Sequence, residues 1–333
     1  MSILYVNENG ASIGVNSNRI AVASKDGSVR SMPIEMLDGI TILGKSHLTT
    51  DCIETCMKKG IHVAFFSKGG TFFGRLVSTS HIKTDLQRKQ SELYFKDFAL
   101  NLSKKIISAK VKNQLVVIRR YAKNSLANIS TEENSIKPLF EKILSADNIA
   151  ELMGYEGNAA RMYFQGLSKC IDSDFKFKGR NRRPPKDPFN SMISLGYSIL
   201  VNEIYSAIEQ KGLNPYFGFL HRDAENHPTL ASDLMEEWRA VLVDATVMSL
   251  INGHEISLDE FEVDYVNGGC YISREGLNVF LKKFEKKLQT QIRYLKYIDY
   301  SISFRQAIAM QIENLTKAIE TEDYNLYEPI VIR

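Results

Sequence analysis

The sequence predicts an α+β protein: an N-terminal β-rich, sandwich-like domain followed by a larger all-α domain. Three observations predict it. Residues 1–83 hold short runs of alternating apolar and polar residues, divided by Asn9-Gly10, Asp26-Gly27 and Gly69-Gly70, pairs suited to tight turns. From Ser91 onward, apolar residues recur at steps of three and four, the period of a helix. Between these regions Thr84–Gln90 is polar and basic, so residues 84–92 read as a linker between a domain 1–83 and a domain 93–333.

Composition narrows the class. Hydrophobic content of 44% and charged content of 24% are those of an ordinary globular protein. No apolar run approaches the ~20 residues that cross a bilayer. The start, MSILYVNENG, lacks a basic segment followed by a long apolar core, so no secretory signal is read and a cytoplasmic location is expected. Cys52, Cys56, Cys170 and Cys270 are then expected to be reduced. Cys52 and Cys56 lie four apart on an expected helix, but no second Cys/His pair with zinc-like spacing accompanies them, so they are read as buried. The net charge of +3 excludes a polycation; any nucleic-acid contact must rest on local patches.

In the first domain, Ser2–Val6 and Ala11–Val15 flank Asn9-Gly10 and are expected to pair as a hairpin. Arg19–Ser24 and Ser28–Pro33 flank Asp26-Gly27 as a second. Gly39–Leu43 is a further strand, and Thr50–Lys59 a helix with Thr50 as cap and Gly60 as stop. Ile61–Ser67 and Thr71–Val77 follow. His47, His62 and His81 are isolated and read as structural.

In the second domain, Leu93, Phe95, Phe98, Leu102, Ile106, Ile107 and Val111 keep helical spacing, with Lys104, Lys105, Lys110 and Lys112 on the other side. Pro138 opens a further helix towards Leu144. Over Ile149–Leu167 an apolar stripe of Leu152, Ala159, Ala160, Tyr163 and Leu167 contains Glu156. A carboxylate on a buried side costs several kcal/mol unless something pairs with it. A salt bridge, a capping role or a metal ligand would each answer that cost.

Gly179–Asp187 cannot be helical through Pro184-Pro185. Its Arg180, Arg182, Arg183 and Lys186 form a positive patch, either a solvated loop or a phosphate contact. Asn190–Gln210 reads as an apolar helix. Phe217–Leu220 then delivers His221 to a polar loop, and a helix runs from Thr229, its N-cap, to Asn252-Gly253. Leu230, Leu234, Trp238, Val241, Leu242 and Ala245 face a core. Asp233, Glu236, Glu237 and Asp244 lie on another face, which is either a wet acidic surface or part of a divalent-metal site. Asp259–Ile272 reads as irregular with a Gly268-Gly269 turn. Glu275–Tyr297 reads as one long helix carrying Lys282, Lys283, Lys286, Lys287, Arg293 and Lys296. Ser303–Glu320 is the last helix.

A Glu/His/Glu set beside clustered cations is what metal-dependent chemistry on phosphodiesters requires, since cations neutralise the backbone and a metal polarises the phosphoryl oxygen. Oxygen ligands with one imidazole suit Mg²⁺ or Mn²⁺.

These residues resemble a known family over nearly the full length. The specific blocks are Tyr155-Glu156-Gly157 with Ala160 and Tyr163-Phe164; Arg183-Pro184-Pro185-Lys186-Asp187-Pro188-Phe189-Asn190 with Leu195 and Tyr197; Gly218-Phe219-Leu220-His221; and Asp233-Leu234-Met235-Glu236-Glu237-Trp238-Arg239, with Gly276 and Arg305-Gln306-Ala307 later. In this order they are similar to the CRISPR-associated spacer-acquisition endonuclease/integrase family, Cas-one. The resemblance implies an N-terminal β domain used for homodimerisation and a helical catalytic domain. It implies Mg²⁺ or Mn²⁺ held by Glu156, His221 and Glu236, with Asp233 in support. The implied reaction is transesterification, in which the 3′-hydroxyl of a short DNA fragment attacks a CRISPR repeat. The implied partners are DNA and a small Cas-two protein that bridges two dimers into a heterohexamer. Three features depart from the family pattern: the loop Arg222–Pro228 lacks glycine, Trp238 stands where phenylalanine is usual, and Ala240 where proline is usual. Rival readings are a nuclease that cuts without joining, a nucleic-acid-binding scaffold without chemistry, and a small-molecule metallohydrolase; the last leaves the basic surfaces unexplained.

Overall fold

The computed structural model describes residues 2–78, 81–295 and 297–332, so Lys296 lies outside the described residues. The chain divides into two units, Met1–His81 and Ile82–Arg333. The α+β class stands: strands come first and a mostly helical region follows.

The first unit contains β1 (Ser2–Val6), β2 (Ser12–Asn16), β3 (Arg19–Ala23), β4 (Val29–Pro33), β5 (Leu37–Leu43), β6 (His47–Leu48), α1 (Thr50–Lys59), β7 (His62–Phe66) and β8 (Phe72–Leu76). Among the described residues these strands form two four-stranded sheets, ordered β1-β5-β7-β8 and β4-β3-β2-β6. β3–β4 and β7–β8 pair antiparallel, as their glycine turns predict. The expected β1–β2 hairpin does not form, because the two strands belong to different sheets. Asn9-Gly10 is pinned instead to Lys45, whose N–H donates to Asn9 Oδ1 and whose carbonyl accepts from Gly10. The tight hairpin is β2–β3, turned by Ser17 (φ 45°) and Asn18 (φ 62°), with no glycine to announce it. The cap of α1 is Thr49 rather than Thr50; its side chain accepts from Cys52 N, and Gly60 closes the helix at φ 70°. Cys52 and Cys56 are buried with Ile13, Ile20, Ile40 and Val63 in one apolar cluster.

The second unit begins with α2 (Thr84–Leu93), so residues 84–92 are helix rather than linker. The reason is local: Leu86 and Leu93 are buried, and Gln90 Nε2 donates to the carbonyls of Asn214 (2.9 Å) and Phe217 (2.7 Å), tying a polar stretch into the helical unit. Next come α3 (Asp97–Ser125), α4 (Ser130–Ile136), α5 (Leu139–Ser145), α6 (Ile149–Cys170), α7 (Pro188–Gln210) and α8 (Thr229–Met235). A π-helical turn, Arg239–Asp244, leads into α9 (Ala245–Asn252). The unit ends with β9 (Phe261–Asp264), β10 (Gly269–Ile272), α10 (Arg274–Leu288), β11 (Gln291–Ile292), β12 (Ile302–Ser303) and α11 (Phe304–Thr321). It is therefore not all-α: β9 and β10 make a hairpin where an irregular stretch was expected. α10 stops at Leu288 rather than Tyr297, because the chain leaves the helix to pair Gln291–Ile292 with Ile302–Ser303. α3 is buried along most of its length and packs against α6. No helix among the described residues is long and apolar enough to cross a membrane.

Candidate metal centre

The site is built around Asp233 on α8. Its carboxylate accepts backbone N–H donors from Phe219 (2.6 Å), Leu220 (3.0 Å) and His221 (3.0 Å), so it fixes the course of the incoming chain. Its Oδ1 also lies 2.7 Å from His221 Nδ1, which assigns the ring proton to that nitrogen and leaves Nε2 facing the site. Gly218 is required by this approach: a Cβ there would lie 2.8 Å from Asp233 Oδ2 and 2.9 Å from the Thr229 carbonyl carbon. Thr229 is not the helix cap; Pro228 is, without a side-chain bond. The Thr229 hydroxyl instead accepts from Gly218 N (2.9 Å) and donates to Tyr216 O (2.5 Å).

The helix expected to run unbroken to Asn252 changes its winding after Met235. A widened turn of this kind recurs at functional sites. Glu236 sits at that change, 4% exposed. Its Oε1 lies 3.0 Å from Arg239 Nε and 3.7 Å from His221 Nε2. Its Oε2 lies against the Lys110 ammonium from α3. The same ammonium contacts Glu156 Oε1 from α6. Burial opposes the Glu236 charge, but Arg239, Lys110 and His221 outweigh it and pull its pKa down to about 2. Burial also opposes charge on Lys110, and Glu236 and Glu156 overcome it, so its pKa is raised. For His221, burial is again outweighed, here by Asp233 and Glu236, and its pKa is raised.

The wet acidic face read from the sequence is absent: Asp233, Glu236, Glu237 and Asp244 are all buried. Glu237 accepts from Tyr327 OH (2.6 Å), Gln311 Nε2 (2.9 Å) and Ile330 N (2.7 Å). Asp244 accepts from Tyr197 OH (2.6 Å) and Tyr163 OH (2.9 Å). Tyr197 carries the Arg239 guanidinium 4.5 Å above its ring and Arg180 at 5.4 Å.

The basic candidates divide into two groups. Arg180 is half-buried and donates to Asn190 Oδ1, so it supports the loop. Lys283 pairs with Glu255, and Lys287 lies 5.0 Å over the Phe304 ring. Arg182, Arg183, Lys186, Lys282 and Lys286 are exposed. The loop that presents Arg182 and Arg183 is held by Asn181 and Asp187, the latter capping α7 through Asn190 N (2.8 Å). Arg305 is structural: it makes a two-pronged pair with Glu285 at 2.8 Å on each prong and a further pair with Glu203.

Glu236, in the turn after α8, is thus the shared member: Lys110 links it to Glu156 from α6, and His221 from the loop before α8 lies 3.7 Å from its other oxygen. Among the described residues, no group of three or more His, Cys, Asp and Glu side chains is gathered closely enough to hold a metal ion as it stands. The Lys110 ammonium fills the space between the two carboxylates. The donors nonetheless fit a hard divalent ion: two carboxylates and one imidazole whose far nitrogen is anchored by Asp233. Glu236 Oε2 adds to the fit, being a buried acceptor whose contact with Lys110 lacks hydrogen-bond geometry. Sequence reasoning placed Lys110 on the polar side of its helix and missed this role; its one signal would have been the need for a cation between the buried Glu236 and the half-buried Glu156.

The sequence model of the family described as CRISPR associated protein Cas1 matches residues 4–286. The CRISPR-associated endonuclease Cas1 of Mycobacterium tuberculosis (strain CDC 1551 / Oshkosh) is 36% identical over 319 residues, covering 95% of this chain and 94% of the relative. A CAS1 protein from Thermotoga maritima shares the fold at a TM-score of 0.82 and 26% identity, covering 96% of this chain and 97% of that one. Two further likenesses are of fold alone. A casposase bound to integration product has a TM-score of 0.86 at 22% identity, covering 100% of this chain and 96% of that one. A Cas6-RT-Cas1–Cas2 complex has a TM-score of 0.82 at 23% identity, covering 98% of this chain and 36% of that one. With most of its length matched by the family model and a relative above 30% identity aligned nearly end to end, this chain belongs to the Cas1 family of CRISPR-associated proteins.

Proposed function

We propose that the chain is a divalent-metal-dependent DNA endonuclease/integrase of CRISPR adaptation, joining the 3′-hydroxyl ends of short DNA fragments into a CRISPR repeat by transesterification. The observation that supports this reading is that Glu156 and Glu236 share the Lys110 ammonium while His221 Nε2 lies 3.7 Å from the other oxygen of Glu236, with Asp233 behind His221. Relatives named endonuclease support cleavage, and a chain of the same fold described on an integration product motivates joining.

Glu156, Glu236 and His221 Nε2 would hold Mg²⁺ or Mn²⁺. Bound there, the ion supplies Lewis-acid polarisation of the scissile phosphate and stabilises the departing oxygen. Asp233 keeps the imidazole in one tautomer and one orientation. Arg239, stacked on Tyr197, holds Glu236 ionised. The exposed Arg182, Arg183, Lys186, Lys282 and Lys286 bind the DNA backbone and position the attacking strand. In the step itself, a phosphorus–oxygen bond forms to the incoming 3′-oxygen, which gives up its proton, as the bond to the leaving 3′-oxygen breaks and that oxygen takes up a proton, so the number of ester bonds is conserved. Dimerisation through the N-terminal unit and assembly with a Cas2 partner belong to the same proposal; the Cas1–Cas2 complex of this fold motivates the latter.

The test is a strand-transfer assay with labelled 3′-hydroxyl DNA, a repeat-bearing plasmid and Mg²⁺ or Mn²⁺. Full activity in Glu156→Ala or His221→Ala ends the assignment. The label separates two readings: cleavage of the plasmid without its transfer leaves a nuclease that does not join.

A further inference from the structure

We propose that Lys110 is a built-in counter-cation of the metal centre: its ammonium holds the position between Glu156 and Glu236, and a divalent ion binds by displacing it. The inference rests on the metal-centre reading above. Lys110 lies near the middle of α3 and is 7% exposed. Its ammonium contacts one oxygen of each carboxylate, Glu156 Oε1 and Glu236 Oε2. Two facing carboxylates in a buried site repel, and a lone buried ammonium is costly; together they leave the least uncompensated charge. A divalent ion between the same two oxygens cannot share that space with a like charge.

Arg239 is not the group that yields. Its guanidinium is stacked 4.5 Å over Tyr197 and lies on the other oxygen of Glu236. Among the described residues, the ion-pair partners of Lys110 are the two carboxylates, and its flexible four-carbon stem lets its head withdraw. Without a metal, the chain therefore keeps these two carboxylates in place around a cation of its own. Metal loading then appears as an exchange of cations rather than the filling of an open cage.

Calorimetric titration with Mn²⁺ alone, on the intact chain without DNA, reads this directly. Lys110→Met should bind Mn²⁺ roughly tenfold or more tightly than wild type, because apparent affinity rises as the share of chains with a free site rises. Its thermal midpoint without metal should fall below wild type, and Mn²⁺ should raise it more than it raises wild type. If Lys110→Met does not fold, Lys110→Gln, which keeps a polar head without charge, is read the same way. Unchanged or weaker Mn²⁺ binding in the folded variant overturns the inference. Glu236→Gln separates the two levels. If it binds Mn²⁺ as wild type does, the metal centre itself is wrong; if it loses Mn²⁺ while Lys110→Met matches wild type, only the role of Lys110 fails. A Mn²⁺-soaked crystal of wild type should show Lys110 Nζ withdrawn from at least one carboxylate. An ion on Glu156 and Glu236 with Lys110 still bridging them refutes the exchange.

Discussion

Glu236 and Glu237 are consecutive, chemically identical and both buried, at 4% and 0% exposure, yet their neighbourhoods set them to opposite tasks. Glu236 faces Lys110, Arg239 and His221, and these cations overcome burial and draw its pKa to about 2. Glu237 meets a different set of neighbours, from α11 and the C-terminal segment. Among the described residues the donors to its side chain are neutral, and burial pushes its pKa up to about 8 against the hydrogen bonds of Tyr327, Ile330 and Gln311. Burial alone therefore does not decide whether a carboxylate is charged; the charge of its neighbours does. One side of this turn is arranged for a cation. The other fastens the C-terminal segment, where Asn113 Nδ2 donates to both Glu237 O and Ile330 O at 2.9 Å.

The largest expected effect tests the side proposed above as catalytic. Glu236→Gln should lower metal-dependent strand transfer by about 10³-fold or more, since the metal's share of transition-state stabilisation is several kcal/mol. Labelled-DNA transfer measures it. If Glu237→Gln falls as far with its metal affinity unchanged, the division of labour between the two residues breaks. Next comes the anchoring side. Glu237→Ala strands three donors, from Tyr327, Gln311 and Ile330, in a buried site. Unfolding free energy should drop by about 3 kcal/mol or more in urea titration, at roughly 1–3 kcal/mol per stranded group less relaxation. The surviving folded fraction should keep its Mn²⁺ affinity.

A third variant sits between the two. Asp233→Asn keeps the size of the side chain but removes the charge that receives the N–H groups of Phe219, Leu220 and His221 and the imidazole Nδ1. Mn²⁺ affinity should fall about 10–100-fold, the usual consequence of losing a ligand's outer partner. Titration calorimetry on the folded variant checks it; an unchanged affinity would show that His221 needs no orienting partner.

How far the sequence revealed this contrast depends on how local each signal was. His221, Asp233 and Glu236 stand in two short blocks joined by one loop, and their pattern was legible. Glu156 was legible because an acid inside an apolar stripe demands a partner. Lys110 was not: on a helix with regularly spaced lysines it looks like any other, and its burial depends on carboxylates supplied by α6 and the turn after α8. Glu237 and Asp244 read as surface because nothing near them in the chain announces Tyr327, Tyr163 or Tyr197. The β-rich start was legible as strands, but not the pairing. Asn9-Gly10 signals a turn, yet only contacts with Lys45 decide that it connects two sheets. Residues 84–92 looked like a linker because polarity was visible and Gln90's distant acceptors were not.

The smallest expected effect extends the comparison to a third buried acid. Asp244 lies between the two cases, with tyrosine donors in contact and Arg180 and Arg239 further off. Burial raises its pKa to about 6, against the pull of Tyr197, Tyr163 and the two arginines. A carboxyl group whose folded pKa is raised above its unfolded value binds more protons in the folded state. Its contribution is therefore present at low pH and lost as pH rises through the folded pKa. From the unfolded value of 3.8 to the folded value of about 6, stability on this group's account should fall as pH rises. Between about pH 5 and about pH 7 the loss amounts to about 1 kcal/mol. His221, whose pKa is also raised, slopes the same way, so the raw pH profile of wild type is not enough. The difference between wild type and Asp244→Asn isolates the group, because asparagine cannot titrate while His221 is common to both. Chemical denaturation across that range should show wild type losing about 1 kcal/mol more than the variant. Parallel profiles would mean that the arginines, like the cations around Glu236, already hold Asp244 ionised, and the graded series of three acids would reduce to two.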